Sequence, residues 1–240
     1  CWTPEGVSVT ANKQDGEWLL DGRASYVLHG QNADVLLVIA KADDSFMAFE
    51  VASDTNGVSI DALPTFDHTL RLASLSFESA KAKHIETQVP VWKAVQSAID
   101  LGLVALAGEQ AGAARKVLEF TVEYAKTRIQ FGRQIGSFQA IKHMSADLLL
   151  ETEAATSAAR DAAQKLAQNS NKSLEAISLA AFACADAFVK TTADAIQMHG
   201  GIAFTWEHPA HLYLKRARAD AQLLGSPAYY REQYLQQLGA

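Results

Sequence analysis

Two short segments of the chain carry residue types that suit a phosphate-bearing ligand. The first, Tyr124–His143, reads YAKTRIQFGRQIGSFQAIKH, and the second, Gln197–Thr205, reads QMHGGIAFT. In the first segment Arg128 offers a planar fork of N–H donors that matches a diphosphate. Gln130 and Gln139 add uncharged amide donors on either side of a glycine-broken turn. This segment therefore predicts an anion-binding end of a helix.

The second segment predicts a matching turn. Gly200 and Gly201 end a helical run, because glycine adopts positive φ at little cost. Without side chains they leave the backbone amides open to a ligand. Taken alone, Arg128 is better explained by a surface ion pair with Glu119 or Glu123. The presence of both segments favours ligand binding instead.

Helices must position these two segments, and the apolar spacing predicts them. From Trp92 to Lys126 apolar residues recur at intervals of three and four, which indicates one long amphipathic helix. Further helices are expected over about 138–168, from a Ser173 cap to His199, from Pro209 to about Leu224, and from Pro227 onward. Glycines and prolines punctuate the ends of these runs. Long alanine-rich helices joined in this way predict an antiparallel four-helix bundle over 90–240.

The first part of the chain, residues 1–89, has the pattern of strands and turns. Asp15-Gly16 is a favoured two-residue hairpin turn between apolar runs. Val35–Ala40 is a short apolar run with β-branched residues, typical of a fully buried strand. No helical pattern separates the strands, so a small antiparallel barrel or sandwich is expected rather than a parallel sheet. The fold class is therefore α+β.

Composition narrows the class of protein. The chain has 240 residues, 49% of them apolar and 20% charged, with a net charge of −6, which indicates a globular protein without a basic surface for nucleic acid. The apolar pattern predicts no membrane span or signal peptide. Cys1 and Cys184 form no spacing motif, so free thiols in a cytoplasmic protein without a metal site are expected.

The two segments together resemble the acyl-CoA dehydrogenase family. Its first signature, YAxxRxxFG followed by IxxxQ, is similar to Tyr124–Gln139, and its second, QxxGGxGF followed by an acidic residue, is similar to Gln197–Glu207. The resemblance implies that FAD is the cofactor and that one subunit completes the flavin site of its neighbour. The residues expected to contact FAD are Arg128, Gln130, Phe131, Ile135, Gln139, Gln197, Gly200 and Gly201. Phe131 and Ile135 are expected to cover the adenine.

The resemblance also indicates what this chain lacks. The family's Trp-Ile-Thr segment, whose threonine hydrogen-bonds the flavin ring, corresponds to Tyr26-Val27-Leu28, and Leu28 has no donor. The glutamate that removes the α-proton corresponds to Leu224. In members that carry this base on the first helix of the C-terminal domain, the position corresponds to Gly102. Neither position has a carboxylate, so the catalytic residue of this chain is unknown.

These departures resemble the base-lacking subunit of heteromeric actinobacterial acyl-CoA dehydrogenases, which act on steroid side-chain or fatty acyl-CoA esters in β-oxidation. We expect a subunit of a heterotetramer, with an acyl-CoA substrate, a second dehydrogenase-like subunit and electron-transfer flavoprotein as acceptor. Two alternatives stay open at this point. The chain is a self-sufficient homo-oligomeric enzyme with a non-standard base, for which Asp100 and Glu109 are weak candidates, or a non-catalytic helical partner.

Overall fold

A computed structural model describes residues 2–239, so Cys1 lies outside the described residues. The first part contains β1 (Thr10–Gln14), β2 (Glu17–Leu28), β3 (Val35–Ala42), β4 (Ser45–Ala52), β5 (Val58–Leu63) and β6 (Leu72–Ile85). The second contains α1 (Val91–Thr127), a hairpin of β7 (Ile129–Gln130) and β8 (Arg133–Gln134), α2 (Gln139–Ala167), α3 (Ser173–His199), α4 (Ala210–Asp220) and α5 (Pro227–Gln237). Contacts divide the chain into two compact units after Ala98. This division falls within α1, whereas the sequence placed the boundary between residues 89 and 90.

The strand unit is a small barrel, which confirms the predicted architecture. The strands follow the order β2-β1-β3-β4-β6, and β6 pairs back onto β2 while β5 pairs with β6. Asp15 and Gly16 both have positive φ, 52° and 87°, as a two-residue hairpin turn of this twist requires. All pairs are antiparallel except a single parallel contact of Thr10 with Lys41.

One strand differs from its prediction. The side chains of β3 alternate between buried and more accessible positions, and Val35 and Leu37 are 54% and 75% exposed. The prediction of a fully buried strand was therefore wrong. A strand in a barrel wall turns only alternate side chains inward, where Leu36 and Val38 join the core around Phe49.

The helical unit is built around α3, which packs on α2, α4 and α5. Small residues let the helices approach closely: Ala114 of α1, Ala195 of α3 and Ala217 of α4 share one buried cluster with Phe188. Residues 91–239 form five α-helices, three long and two short. The α+β class is confirmed.

Two helix ends differ from the sequence prediction. Ser173 is the first residue of α3 rather than its cap, and its hydroxyl donates to the carbonyl oxygens of Lys165 and Ser170. Helix α4 ends at Asp220, so Leu224 lies in the following turn. The start of α5 agrees with its prediction, because the Ser226 hydroxyl accepts a hydrogen bond from the Tyr229 amide at 3.3 Å.

By length and composition alone, α1 and α3 are apolar enough to cross a membrane. Helix α3, however, is packed by three other helices, and the buried core helix of a globular domain meets the same criterion. The absence of a membrane span therefore stays a prediction.

Candidate functional site

The hairpin after α1 presents an aromatic side chain at its tip. Phe131 and Gly132 are its two turn residues, with φ of 54° and 78°, and Ile129 pairs with Gln134 across it. Positive φ is unfavourable for a bulky residue such as phenylalanine. Yet Phe131 is 91% exposed and Ile129 is 61% exposed, so burial of these side chains within the chain does not offset that cost. Strain of this kind concentrates at binding sites.

Backbone contacts hold the hairpin against the end of α1. The Ile135 amide donates to the Arg128 carbonyl oxygen at 2.8 Å. Gly136 packs so closely that a Cβ atom there would lie 2.9 Å from the carbonyl oxygen of Ala125. Only glycine permits this approach without a shift of the backbone. The hairpin is therefore a defined extension of α1.

Arg128 has no carboxylate partner among residues 2–239. Both carboxylates that could pair with it are bound elsewhere: Glu123 to Lys126 at 2.6 Å, and Glu119 to Arg115 at 3.6 Å. The guanidinium is exposed. The surface ion pair that the sequence left as an alternative is therefore not formed, and the donors of Arg128 remain available to an anion.

The other residues that the sequence singled out in this segment lie along the hairpin and the start of α2. Gln130 and Gln139 are exposed and Ile135 is half-buried. The Gln139 amide nitrogen lies 3.4 Å from Nε2 of His143. Phe138 contacts Phe131 edge-on, with ring centroids 6.1 Å apart. The hairpin surface thus combines amide donors with aromatic faces.

The glycine turn is open on its outer side. Helix α3 ends at His199, and Gly200 takes a φ of 66°. A Cβ atom built on either Gly200 or Gly201 would meet no atom within 4 Å. Gln197 is exposed although its neighbours Ile196 and Met198 are buried. The turn therefore offers uncovered backbone next to one side-chain amide.

Tyr124 brings the two segments together. Its hydroxyl donates to the His199 carbonyl oxygen at 3.4 Å, and its ring stacks on the His199 ring at 4.4 Å. Tyr124 lies one helical turn before Arg128, whose amide donates to the Tyr124 carbonyl oxygen at 2.8 Å. Tyr124 therefore links the end of α1, where Arg128 lies, to His199, the residue that precedes the glycine turn.

The two positions that correspond to the family's base also meet. A Cβ atom on Gly102 would lie 2.9 Å from Cδ1 of Leu224. Leu224 has a φ of 58°, and Tyr230 donates a hydrogen bond to its carbonyl oxygen. The ring of Tyr230 also packs on Gly225. The leucine side chain therefore occupies the space next to Gly102, and neither residue provides a carboxylate.

The weaker base candidates are engaged elsewhere. Glu109 binds the guanidinium of Arg216, with Oε1 2.8 Å from Nε and 2.7 Å from Nη2. The same guanidinium lies 3.0 Å from the buried carboxylate of Asp220. Glu109 is therefore held in an ion-pair network of α1 and α4. Burial, with contributions from Tyr229 and then Asp100, raises the pKa of Tyr230.

The segment that corresponds to the flavin-ring contact is distorted. Tyr26 and His29 have positive φ, 60° and 54°, and the pairing of β2 with β6 is irregular between Ala24 and Val27. Tyr26 is 71% exposed and Leu28 is 38% exposed. Leu28 therefore exposes an apolar side chain at the end of β2, and this side chain has no hydrogen-bond donor.

Sequence patterns do not single out His208. Its ring lies 4.3 Å from the His199 ring, but contact between a loop and a helix end has no characteristic spacing. Tyr124 and His199, by contrast, lie within the two segments that the sequence singled out.

Comparison with known proteins identifies the family. Residues 92–239 match the family model described as acyl-CoA dehydrogenase, C-terminal domain. The chain belongs to the acyl-CoA dehydrogenase family. It is 39% identical over 202 residues to acyl-CoA dehydrogenase IpdE2 of Mycobacterium tuberculosis, a match that covers 84% of this chain and 56% of the relative. The resemblance inferred from the two segments is thereby confirmed.

Solved structures of this family have the same fold. The ChsE4-ChsE5 complex of Mycobacterium tuberculosis matches with a TM-score of 0.85 and 27% identity, over 99% of this chain and 64% of that one. An FAD-dependent dehydrogenase matches with a TM-score of 0.90 and 25% identity, over 96% of this chain and 65% of that one. This member of the family therefore spans somewhat more than half the length of the relatives that it matches.

Proposed function

We propose that the chain is a subunit of a flavin-dependent acyl-CoA dehydrogenase, and that it completes the FAD site of a partner subunit which carries the catalytic base. The observation that carries this proposal is a contrast within the chain. The Arg128 guanidinium has no carboxylate partner among residues 2–239, and no side chain covers the backbone at Gly200 and Gly201. By contrast, Leu224 fills the space beside Gly102.

The residues of the hairpin and the glycine turn fit the AMP end of FAD. The exposed Arg128 guanidinium would bind the diphosphate through charge-assisted hydrogen bonds. The exposed amides of Gln130, Gln139 and Gln197 would add uncharged donors. The open backbone at Gly200 and Gly201 allows close approach, because no side chain covers it.

The aromatic side of the same surface suits a purine. Phe131 stands clear of the hairpin at 91% exposure, and Ile135 lies half-buried behind it. Together they would cover an adenine face, since exposed aromatic and aliphatic side chains gain from burial against a planar ring.

The family's reaction, α,β-dehydrogenation of an acyl-CoA thioester, also requires removal of an α-proton. The flavin supplies the hydride acceptor when it is bound. A leucine side chain and a glycine cannot abstract a proton. In this proposal the base therefore comes from the partner, and the site that includes Leu224 does not turn over.

The strand unit supports the same division of roles. Leu28 cannot donate the hydrogen bond that a threonine donates at the corresponding position. This chain would therefore hold a flavin ring of its own poorly, while its helical unit serves the neighbouring site.

The ChsE4-ChsE5 complex is by its description an assembly of two proteins, which supports a heteromeric assembly for this chain. We propose a heterotetramer in the cytoplasm that acts on an acyl-CoA ester and passes electrons to electron-transfer flavoprotein.

Purification of the chain alone and after co-expression with a base-bearing dehydrogenase subunit tests the proposal. We expect the chain alone to be colourless or sub-stoichiometric in FAD, and the complex to be yellow. A homo-oligomer with a full flavin complement would contradict the division of roles. A stable complex without flavin would instead favour the non-catalytic alternative.

A further inference from the structure

A cluster of rings lies directly beneath the glycine turn and involves two histidines. His199 is 5% exposed. Its ring stacks on Tyr124 at 4.4 Å and lies 4.3 Å from the half-buried ring of His208. Phe120 completes the cluster, with its ring 5.7 Å from that of His199 and 5.6 Å from that of His208. We call these four residues the histidine cluster.

Hydrogen bonds assign the protons on both imidazoles. Nδ1 of His199 lies 2.8 Å from the carbonyl oxygen of Ala195, which can only accept, so this nitrogen carries the proton. Nε2 of His199 then bears a lone pair, and it is buried without a partner among residues 2–239. Nδ1 of His208 accepts from the Ala210 amide at 3.2 Å. Both rings are thus arranged as neutral imidazoles.

The surroundings disfavour a charge on either ring. Burial lowers the pKa of His199, and His208 lowers it further, whereas the Ala195 hydrogen bond opposes this shift. Burial and His211 lower the pKa of His208. The titratable groups that face the pair are Tyr124 of α1 and His211 of α4. Within the described part of the chain neither histidine forms an ion pair with a carboxylate.

The histidine cluster connects the two parts of the proposed AMP site, which are the hairpin at the end of α1 and the glycine turn. Tyr124 lies one turn before Arg128 on α1, and its hydroxyl donates to the carbonyl oxygen of His199. His199 immediately precedes Gly200. A displacement of the His199 ring would therefore move the glycine turn relative to the guanidinium of Arg128.

We propose that the histidine cluster is a pH-sensitive latch, which holds the glycine turn against the arginine end of α1 while both imidazoles are neutral and loosens when one takes up a proton. A proton on Nε2 of His199 would place a charge in a buried site beside a second imidazole, with no carboxylate to balance it. Tyr124 and His199 are thus positioning residues. The link to flavin rests on the proposed function.

The sign of the effect follows from linkage. Each histidine has a lower pKa in the folded turn than the ordinary value near 6.5, so the loosened state binds more protons. The latch is therefore intact above about pH 6.5, and weakens as pH falls from there towards the lowered pKa values. The weakening is at most about tenfold per pH unit for each proton taken up.

Two measurements on the chain itself test the latch. Proton NMR of the histidine rings should give His199 and His208 midpoints below the ordinary histidine value near 6.5. Amide hydrogen exchange, expressed as protection factors for residues 200–205, should show lower protection at pH 5.5 than at pH 7.5. Wild-type midpoints at or above that ordinary value, or protection unchanged with pH, would overturn the proposal.

Substitutions distinguish an effect of the latch from a general loss of stability. His199→Phe and His208→Phe keep an aromatic ring but cannot be protonated, so each should flatten the pH dependence of protection in residues 200–205. Tyr124→Phe keeps the stacked ring and loses the hydroxyl, so it should lower protection at both pH values. His68→Gln, in the strand unit, should behave as wild type. Retention of the full pH dependence in both phenylalanine variants would refute the latch.

FAD affinity of the co-expressed complex distinguishes failure of the latch from failure of the proposed function. If the function is right, Arg128→Ala weakens FAD binding at every pH. If the latch is right as well, wild-type affinity falls between pH 7.5 and 5.5, and this fall is reduced in His199→Phe. An Arg128→Ala effect without the pH effect overturns the latch alone. A pH effect on protection with no Arg128→Ala effect overturns the AMP site alone.

Discussion

The proposed AMP half-site and the positions that correspond to the family's base differ in side-chain chemistry, although each includes a turn with a non-glycine residue at positive φ. In the first, a hairpin with Phe131 at positive φ presents exposed donors and an aromatic ring. In the second, Leu224 also takes positive φ, and Tyr230 holds its carbonyl oxygen. Both turns thus place a bulky side chain at positive φ, but the exposed Arg128 guanidinium lies beside the first turn, whereas the second carries a leucine.

This contrast shows that a turn can adopt an unfavourable backbone conformation even where it carries no reactive side chain. A non-glycine residue at positive φ costs on the order of 1–3 kcal/mol unless its surroundings hold it. At Leu224 the packing of Tyr230 on Gly225 provides that support. In our proposal the two regions therefore differ in their side chains rather than in the order of their backbone, and substitutions can test each region separately.

The largest expected effect concerns the missing base. Replacing the partner's base glutamate by glutamine should lower turnover of the complex by about 10²–10⁴-fold, the usual contribution of a general base. Leu224→Glu in this chain should create no dehydrogenase activity in the chain alone. The new carboxyl would lie half-buried against Gly102, where desolvation raises its pKa and keeps it protonated. A ferricenium assay over a panel of acyl-CoA esters measures both.

Leu224→Gln serves as the control for Leu224→Glu, because a glutamine side chain has the same size as a glutamate side chain but cannot ionise. Appreciable turnover by the wild-type chain alone, or by Leu224→Glu but not Leu224→Gln, would show that this chain's own site is competent. The comparison between the two regions would then no longer hold.

The next effect concerns the AMP half-site. Arg128→Ala should weaken FAD binding to the complex by about 10- to 100-fold, since it removes charge-assisted hydrogen bonds to the diphosphate. Titration of the apo-complex followed by flavin fluorescence gives the affinity. Arg115→Ala is a matched control on the same helix, because Arg115 already pairs with Glu119, and its affinity should equal that of wild type. Equal affinities for both variants would place the AMP contact elsewhere.

A smaller effect is expected from the anchor of the hairpin. Gly136→Ala puts a methyl group 2.9 Å from the backbone oxygen of Ala125, and relief requires the hairpin to move. We expect a loss of about 1–3 kcal/mol in the free energy of unfolding, measured by urea denaturation, together with weaker FAD binding. Gly112→Ala is the control, because its methyl group meets no atom within 4 Å and should stabilise α1 by up to about 1 kcal/mol.

The smallest expected effect concerns the hydrogen bond that Tyr230 donates to the turn at Leu224. Tyr230→Phe removes the hydrogen bond to the Leu224 carbonyl oxygen and keeps the ring on Gly225. A loss of about 0.5–1.5 kcal/mol in the free energy of unfolding is expected, with FAD affinity of the complex unchanged. If Tyr230→Phe weakened FAD binding as much as Arg128→Ala, the two regions would not be separable as we describe them.

Local patterns of the sequence determined much of the molecule. Apolar spacing located α1, α2 and α3 to within a residue or two, since an amphipathic helix repeats along the chain itself. The Asp15-Gly16 and Ser226-Pro227 turns were likewise predictable, because their chemistry lies within a few residues. The two signature segments indicated the family, which the comparisons confirmed.

Other features were decided only by tertiary structure, because they depend on residues that are distant in sequence. No local pattern shows that Glu109 binds Arg216, which lies 107 positions further along the chain. None shows that Leu224 rests on Gly102, or that His208 meets His199 beneath the glycine turn. Similarly, the exposed face of β3 follows from barrel closure rather than from its apolar composition. Packing between elements decides which side chains are covered, paired or exposed.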